Sequence, residues 1–255
     1  MILAARGLAV GYRSPLLVAG ELEFAPGTVT AILGPNGVGK STLLLTLAGL
    51  LAPIRGALTV GGRDLVRLRR SERARLIAFL SQEETSAFPT TVREAVAIGR
   101  LPHSVGVRET PADLAAIETA IARVDLAGQS ESLLERLSGG QRRRAMIARA
   151  LAQEAPVVLL DEPLAHLDPA HANEVLRTLD ELRAMGRTVV ATFHDADAAL
   201  VVADRVLLLA EGAVTFSGEA EAVDDAALGA AYGIAFERHE TPHGSVRRPV
   251  WRIRP

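Results

Sequence analysis

The chain has 255 residues, 49% of them apolar, so one large domain, or a core with an added lobe, can bury a sizeable interior. A formal net charge of −2 gives no reason to expect a general nucleic-acid binder. Cysteine is absent, which rules out disulfides and thiolate metal sites and fits a reducing compartment.

No apolar run approaches the roughly 18 residues of a membrane span. Leu43 to Ala52 is too short and holds Thr46, and Ala198 to Ala210 is cut by Asp204 and Arg205. The opening MILAARGLAVGY lacks the charged region, long apolar core and cleavage site of a signal peptide. The expectation is a cytosolic protein that can sit against a membrane protein.

In chain order, Ile2 to Val10, Leu16 to Phe24 and Thr28 to Leu33 read as short strands, punctuated by Pro15, Pro26 and Gly27. Tyr12 falls on the turn after the first, where a tyrosine could stack on an adenine ring or simply half-bury. The third strand leads into GPNGVGKST, Gly34 to Thr42, and then into a second apolar run. Strand, glycine loop and helix together form the context of a phosphate-binding loop. Gly34, Gly37 and Gly39 free the backbone so that the segment containing Pro35, Asn36 and Val38 can wrap a phosphate. The helix N-terminus adds a favourable dipole. Lys40 would place a charge on the β- and γ-phosphates, Ser41 would bind Mg²⁺, and Thr42 would lie beside it.

Further on, Ala57 to Val60 reads as a strand and Gly61-Gly62 as a hairpin turn. The five arginines between Arg67 and Arg75 read as a solvated helix face. Ile77 to Leu80 is a strand ending at Ser81-Gln82, and a glutamine at the C-terminal end of such a strand points into the ligand crevice of an α/β sheet. From Glu83 to Glu135 the pattern turns helical, over Val92 to Gly99 and Ala112 to Val124, as in a lobe inserted into the sheet. Arg100 to Thr110 is expected to be a surface loop and His103 a plain surface histidine.

LSGGQ, Leu137 to Gln141, opens a helix reaching Gln153. Val157 to Leu160 is a continuous apolar run, as in a parallel strand buried on both faces, and ends in Asp161-Glu162-Pro163. Asp168 is placed to cap a helix from Pro169 to Met185 that Gly186 closes. Thr188 to Phe193 is a strand ending at His194-Asp195, and Arg205 to Leu209 pairs with Ala213 to Ser217 across Glu211-Gly212. The tail reads as a peripheral hairpin turning at Pro242-His243-Gly244 and carrying Arg238, Arg247, Arg248, Arg252 and Arg254.

The strand ends place Gln82, Asp161, Glu162 and His194 in one crevice with the phosphate loop. Asp161 can hold Mg²⁺, Glu162 can orient or deprotonate the attacking water, and His194 can bond the γ-phosphate. Ser138 is a good N-cap, and Gly139 and Gly140 leave amides uncovered at a helix start, which makes a second anion site. One chain has no second phosphate group for it. A head-to-tail dimer, with this helix closing on the partner's nucleotide, resolves that.

These pieces, in this order, resemble the ATP-binding subunit of ATP-binding cassette transporters: Tyr12, the Walker A segment GPNGVGKST, the Gln82 loop, the LSGGQ signature, the Walker B segment VVLLDEP, AHLD ending at Asp168, and the switch His194. The resemblance covers nearly the whole chain. It implies an α/β P-loop NTPase (RecA-like) core with an antiparallel β-subdomain and an inserted α-helical subdomain. The core would comprise 1–82 and 154–255, and the helical subdomain 83–153. It implies ATP and Mg²⁺ as cofactors, with Ser41, Gln82 and Asp161 toward the metal and Glu162, His194 and Gln82 catalytic. Ser138, Gly139, Gly140 and Gln141 would act in trans, and Asp168 would lie at the dimer seam. Arg143 departs from the glutamine that many members have, and is expected to be tolerated beyond the phosphate-facing end of its helix.

The segments RRSERARLIAFLSQE, TVREAVAIGRLPH, AHLDPAHA, AYGIAFERH and RRPV resemble the subfamily that imports iron–siderophore complexes, haem or cobalamin. That implies a homodimer at the cytoplasmic face of the membrane, integral membrane permease subunits that meet the helical lobe, and indirectly a substrate-binding protein. The alternative is a soluble cassette ATPase in nucleic-acid repair, or a regulatory or ribosome-associated module. Those carry coiled-coil insertions, fused domains or two cassettes, none of which is visible here.

Overall fold

The computed structural model describes residues 1–82, 88–104, 109–241 and 244–250. Strands β1 (Leu3–Gly11) and β2 (Pro15–Phe24) form an antiparallel hairpin. After β3 (Thr28–Leu33) comes helix α1 (Lys40–Leu47). Strand β4 (Arg55–Val60) runs antiparallel to β1 and turns at Gly61-Gly62 into the short β5 (Arg63–Asp64). Helix α2 (Arg70–Leu76) buries no residue, as expected of the arginine-rich segment. Strand β6 (Ile77–Leu80) precedes the helical stretch formed by α3 (Val92–Ala97), α4 (Pro111–Arg123) and α5 (Gly139–Ala152).

The alternating pattern then resumes with β7 (Val157–Leu160), α6 (Pro169–Ala184), β8 (Thr188–Thr192), α7 (Ala196–Val202) and β9 (Arg205–Ala210). Strand β10 (Ala213–Glu219), helix α8 (Asp225–Tyr232) and the hairpin of β11 (Phe236–Thr241) and β12 (Gly244–Pro249) end the described chain. Pro242, His243, Arg252 and Arg254 lie outside the described residues, as does Glu83, where the helical lobe was expected to begin.

One ten-stranded sheet organises the fold, in the order β5-β4-β1-β2-β10-β9-β3-β8-β7-β6. From β9 to β6 the strands are parallel, and from β5 to β2 they are antiparallel. Alternate side chains of the parallel strands feed two separate cores. Val29, Ala31, Leu33, Val158, Leu160, Val189 and Ala191 pack under the helices from α3 to α8. Ile32, Val157, Leu159 and Val190 pack on the other face with Leu43, Leu44 and Leu47 of α1 and with the antiparallel strands. Burial on both faces is why β7 and β8 read as unbroken apolar runs. In β8 it leaves the polar residues, Thr188 and Thr192, only at the ends.

The helical stretch is pinned by a buried arginine. Arg100, 6% exposed, donates from Nε to Asp113 at 2.9 Å and from Nη1 to the Ala152 carbonyl at 2.7 Å and Glu154 at 2.6 Å. One guanidinium thus joins the turn after α3, the start of α4 and the end of α5. The Asp113 carboxylate also accepts from the hydroxyl and amide of Thr110. These Thr110 bonds first, and Arg100 after them, pull the Asp113 pKa down from 3.8 to about 2. A folded-state value below the unfolded one means stabilisation that is complete above about pH 4 and lost as pH falls toward 2. Asp113→Asn should therefore lower the melting temperature by a constant amount at neutral pH. Thermal melts at falling pH should show that gap closing once the pH passes below about 4.

His103 corrects an expectation. It is half-buried, with Nε2 2.8 Å from the Gln153 carbonyl, while the Gln153 side chain donates to the Ala74 and Ile77 carbonyls. The segment begun by Arg100 is thereby tied to the end of α5 at His103.

Candidate nucleotide site

The C-terminal ends of β3, β8, β7 and β6 lie side by side, because these four strands are consecutive and parallel in the sheet. They open on a cleft of about 370 Å³ lined by Leu16, Asn36, Gly37, Gly39, Lys40, Ser41, Thr42, Gln82, Glu162 and His194. The residues singled out on four separate segments of the sequence thus converge.

The loop before α1 needs its glycines. Gly34 has φ 145°, and a Cβ there would lie 2.3 Å from the Leu209 carbonyl oxygen. Gly39, the N-cap of α1, has φ 110°. Both values lie outside what a side-chain-bearing residue adopts cheaply. Lys40 begins α1 and is 6% exposed. Its Nζ donates to the Gly34 carbonyl at 2.6 Å and the Pro35 carbonyl at 3.0 Å. Burial lowers its pKa, while the nearby Glu162 and Asp161 carboxylates act to raise it.

Asp161 and Glu162 follow β7 and part company there. Asp161 is 4% exposed, and its Oδ1 accepts from the Thr192 hydroxyl at 2.7 Å. Thr192 Oγ1 in turn accepts the Glu162 amide at 2.8 Å. Glu162 adopts φ 50°, a left-handed conformation costing a non-glycine residue about 1–3 kcal/mol. That turn brings its carboxylate to the cleft, where Oε1 sits 2.7 Å from His194 Nε2. A carboxylate can only accept, so Nε2 carries the hydrogen. The Glu162 side chain is 9% exposed and that of His194 50%, so His194 is the solvent-facing member of the pair.

The oxygen donors fit magnesium. Ser41 offers a hydroxyl at the cleft and Asp161 a carboxylate at the end of β7, with β8 between β7 and β3, and both are hard ligands. Among the described residues no three His, Asp or Glu side chains cluster as a metal cage. Magnesium beside a nucleotide takes only one or two protein carboxylates and completes its shell from phosphates and water.

Other expected residues lie elsewhere. Tyr12 is 70% exposed and does not line the cleft, although Leu16 of the same hairpin does. Ser138 caps α5, accepting from the Gln141 amide at 3.2 Å, while Gln141 Oε1 accepts the Ser138 amide at 3.0 Å. A Cβ on Gly139 would meet open space. This glycine-rich helix start does not line the cleft of its own chain. Asp168 caps α6 and holds the His171 ring at 2.6 Å; its pKa is lowered by the His171 amide and then the His171 side chain.

Three supporting roles were not read from the sequence. Thr192 links both acidic residues, Tyr232 accepts the Gly34 amide at 3.0 Å, and Arg143 is buried at 8% exposure. The only signal for Thr192 is a hydroxyl at the end of an otherwise apolar strand. Tyr232 lies 198 residues from its partner, in the segment AYGIAFERH, which resembled the subfamily without pointing to this contact.

The ABC transporter family matches residues 19–165. The haemin import ATP-binding protein HmuV of Pseudomonas putida is 40% identical over 220 residues, covering 84% of this chain and 85% of that protein. The cobalamin import ATP-binding protein BtuD of Halobacterium salinarum is 40% identical over 201 residues, 77% of this chain but 50% of its relative. Among solved structures, one reported as a metal-chelate type ABC transporter in an inward-facing conformation superposes with a TM-score of 0.84 at 28% identity, over 98% of this chain and 97% of that one. A dimeric ATP-binding cassette bound to ADP and Pi in a post-hydrolysis state superposes with a TM-score of 0.75 at 25% identity, over 86% of this chain and 98% of the other. With the family matched across more than half its length and a cleft that gathers a phosphate loop, two acidic residues and a histidine, the chain belongs to the ABC transporter family and is an ATP-binding cassette ATPase.

Proposed function

We propose that this ATPase powers the import of a metal chelate such as haem, cobalamin or an iron–siderophore complex. It works as a homodimer on the cytoplasmic face of the membrane, against permease subunits that meet the helical lobe within 83–153. The observation that carries the mechanism is the split between the two glycine-rich segments. The loop at Lys40 lies in the cleft with Glu162 and His194, and the segment from Ser138 to Gln141 lies outside it. Two copies placed head to tail complete each site, and ATP, bound better by the closed pair, drives closure.

Within each site Lys40 neutralises the β- and γ-phosphates, and Tyr12 stacks on the adenine. Ser41 and Asp161, with Gln82 near them, would hold Mg²⁺, which would supply positive charge at the phosphate oxygens. Glu162 accepts the proton of the attacking water, and His194 turns from Glu162 to the γ-phosphate. Ser138 to Gln141 of the second copy cover the phosphates, and Asp168 at the seam links the two sites. Opening after hydrolysis resets the permease.

The names of the relatives support the substrate class. Haemin and cobalamin importers match at 40% identity, and the metal-chelate type transporter matches over nearly the whole chain. The test is to reconstitute the chain in liposomes with the multi-span membrane protein that co-purifies with it and to add candidate substrates. A several-fold rise in ATPase rate with one metal chelate, and none with a sugar or amino acid, is expected. Stimulation by the sugar or amino acid alone would overturn the assignment.

A further inference from the structure

Arg143 sits on α5, five residues after Ser138, or about 7 Å along the helix axis. From the sequence it looked peripheral. In the fold it is sealed between α5 and the ends of two strands. Its Nη1 donates to the Ser81 carbonyl at 2.6 Å and the Gln82 carbonyl at 3.2 Å. Its Nη2 donates to the Asp161 carbonyl and to the Glu162 carbonyl at 2.8 Å, and Nε reaches the Pro163 carbonyl at 3.5 Å. Every one of these acceptors is backbone, and they belong to the two segments that carry Gln82 and Glu162 into the cleft.

A planar fork of five N–H donors can serve both segments together; an ammonium, a point charge, cannot match that geometry. The carbonyls just past β6 and β7 lie where the parallel ladder ends, so one side chain replaces the missing strand partner. Because α5 also begins with Ser138 to Gln141, the same helix that presents the anion site of one copy is fastened to the hydrolytic segments of that copy.

We propose that Arg143 is a positioning residue for hydrolysis: it fixes Gln82 and Glu162 to the signature helix, so that a shift of Ser138 to Gln141 is passed to the groups around the γ-phosphate. This rests on the ATPase reading above and deepens it. Arg143 does not line the nucleotide cleft, so the ATP grip at Lys40 should be independent of it.

The experiment compares the full chain with Arg143→Lys and Arg143→Met, measuring melting temperature, binding of a fluorescent ATP analogue, and kcat and KM for ATP. Displacing catalytic groups by about 1 Å can cost on the order of 100-fold, so Arg143→Lys should lose about that factor in kcat. Its KM and analogue affinity should stay close to those of the parent chain, while the buried carbonyls left without a donor lower its melting temperature by a few degrees. If Arg143→Met fails to fold, the lysine variant still decides. Parallel losses in melting temperature, analogue binding and kcat would mark a merely structural residue and overturn the proposal. An unchanged kcat in Arg143→Lys would overturn it while leaving the ATPase reading intact. A parent chain with no turnover would overturn the ATPase reading itself.

Discussion

Replacing Glu162 with glutamine is expected to leave ATP binding intact, hold the chain as an ATP-bound dimer and cut turnover by about 10²–10⁴-fold, the range that a positioned general base contributes. The substitution keeps the shape and removes the basic oxygen. Glutamine Oε1 can still accept from His194 Nε2, so the 2.7 Å contact and the buried placement survive. The backbone at φ 50° does not depend on the side-chain charge, and the Glu162 amide keeps its bond to Thr192. What changes is the negative charge next to the phosphate site. Its removal lessens repulsion of the nucleotide, so affinity should hold or rise as kcat falls. Steady-state ATPase assays and size-exclusion chromatography with and without ATP read both effects. Near-normal turnover in the variant would remove Glu162 from the role of base.

How much of this was legible in the sequence differs by residue and for physical reasons. Gln82, Asp161, Glu162 and His194 were legible because each lies within two residues of where an apolar strand stops, facing the crevice, and Lys40 because it ends the glycine loop at the start of α1. The caps of α5 and α6 were legible because Ser138 and Asp168 act within three residues of themselves. Helices α7 and α8 were not read. At seven and eight residues they are too short for a helical period to emerge, and only Asp204 and Arg205 separate the apolar end of α7 from the apolar strand β9. Their starts were nonetheless encoded, by Asp195 accepting from the Asp197 amide and Asp224 from the Ala227 amide. Arg143 was misread because its hydrogen-bond acceptors among the described residues are backbone carbonyls, which leave no mark on the sequence that bears them.

The second large effect tests the split site. Lys40→Ala alone and Ser138→Arg alone should each reduce turnover to near background, while a one-to-one mixture should recover about a quarter of the parent rate if the sites act independently, because symmetric pairing makes half the dimers mixed. Each mixed dimer then has one site with both substitutions and one with neither. The intact site takes its loop from the Ser138→Arg chain and its signature from the Lys40→Ala chain. Neither change should unfold the protein. Ser138 is an exposed N-cap whose loss costs about 1 kcal/mol, and the space around Gly139 is open, so an arginine fits in the isolated chain but occupies the partner's phosphate position. Lys40 is buried among the Gly34 and Pro35 carbonyls, and alanine removes the charge without adding bulk. If the signature instead served its own chain, every molecule in the mixture would carry a complete defect, and mixing would restore nothing. Differently tagged chains, pulled down with and without ATP, supply the second reading: ATP-dependent pairing with partial recovery supports the shared site, and the absence of both places the signature's action within one chain.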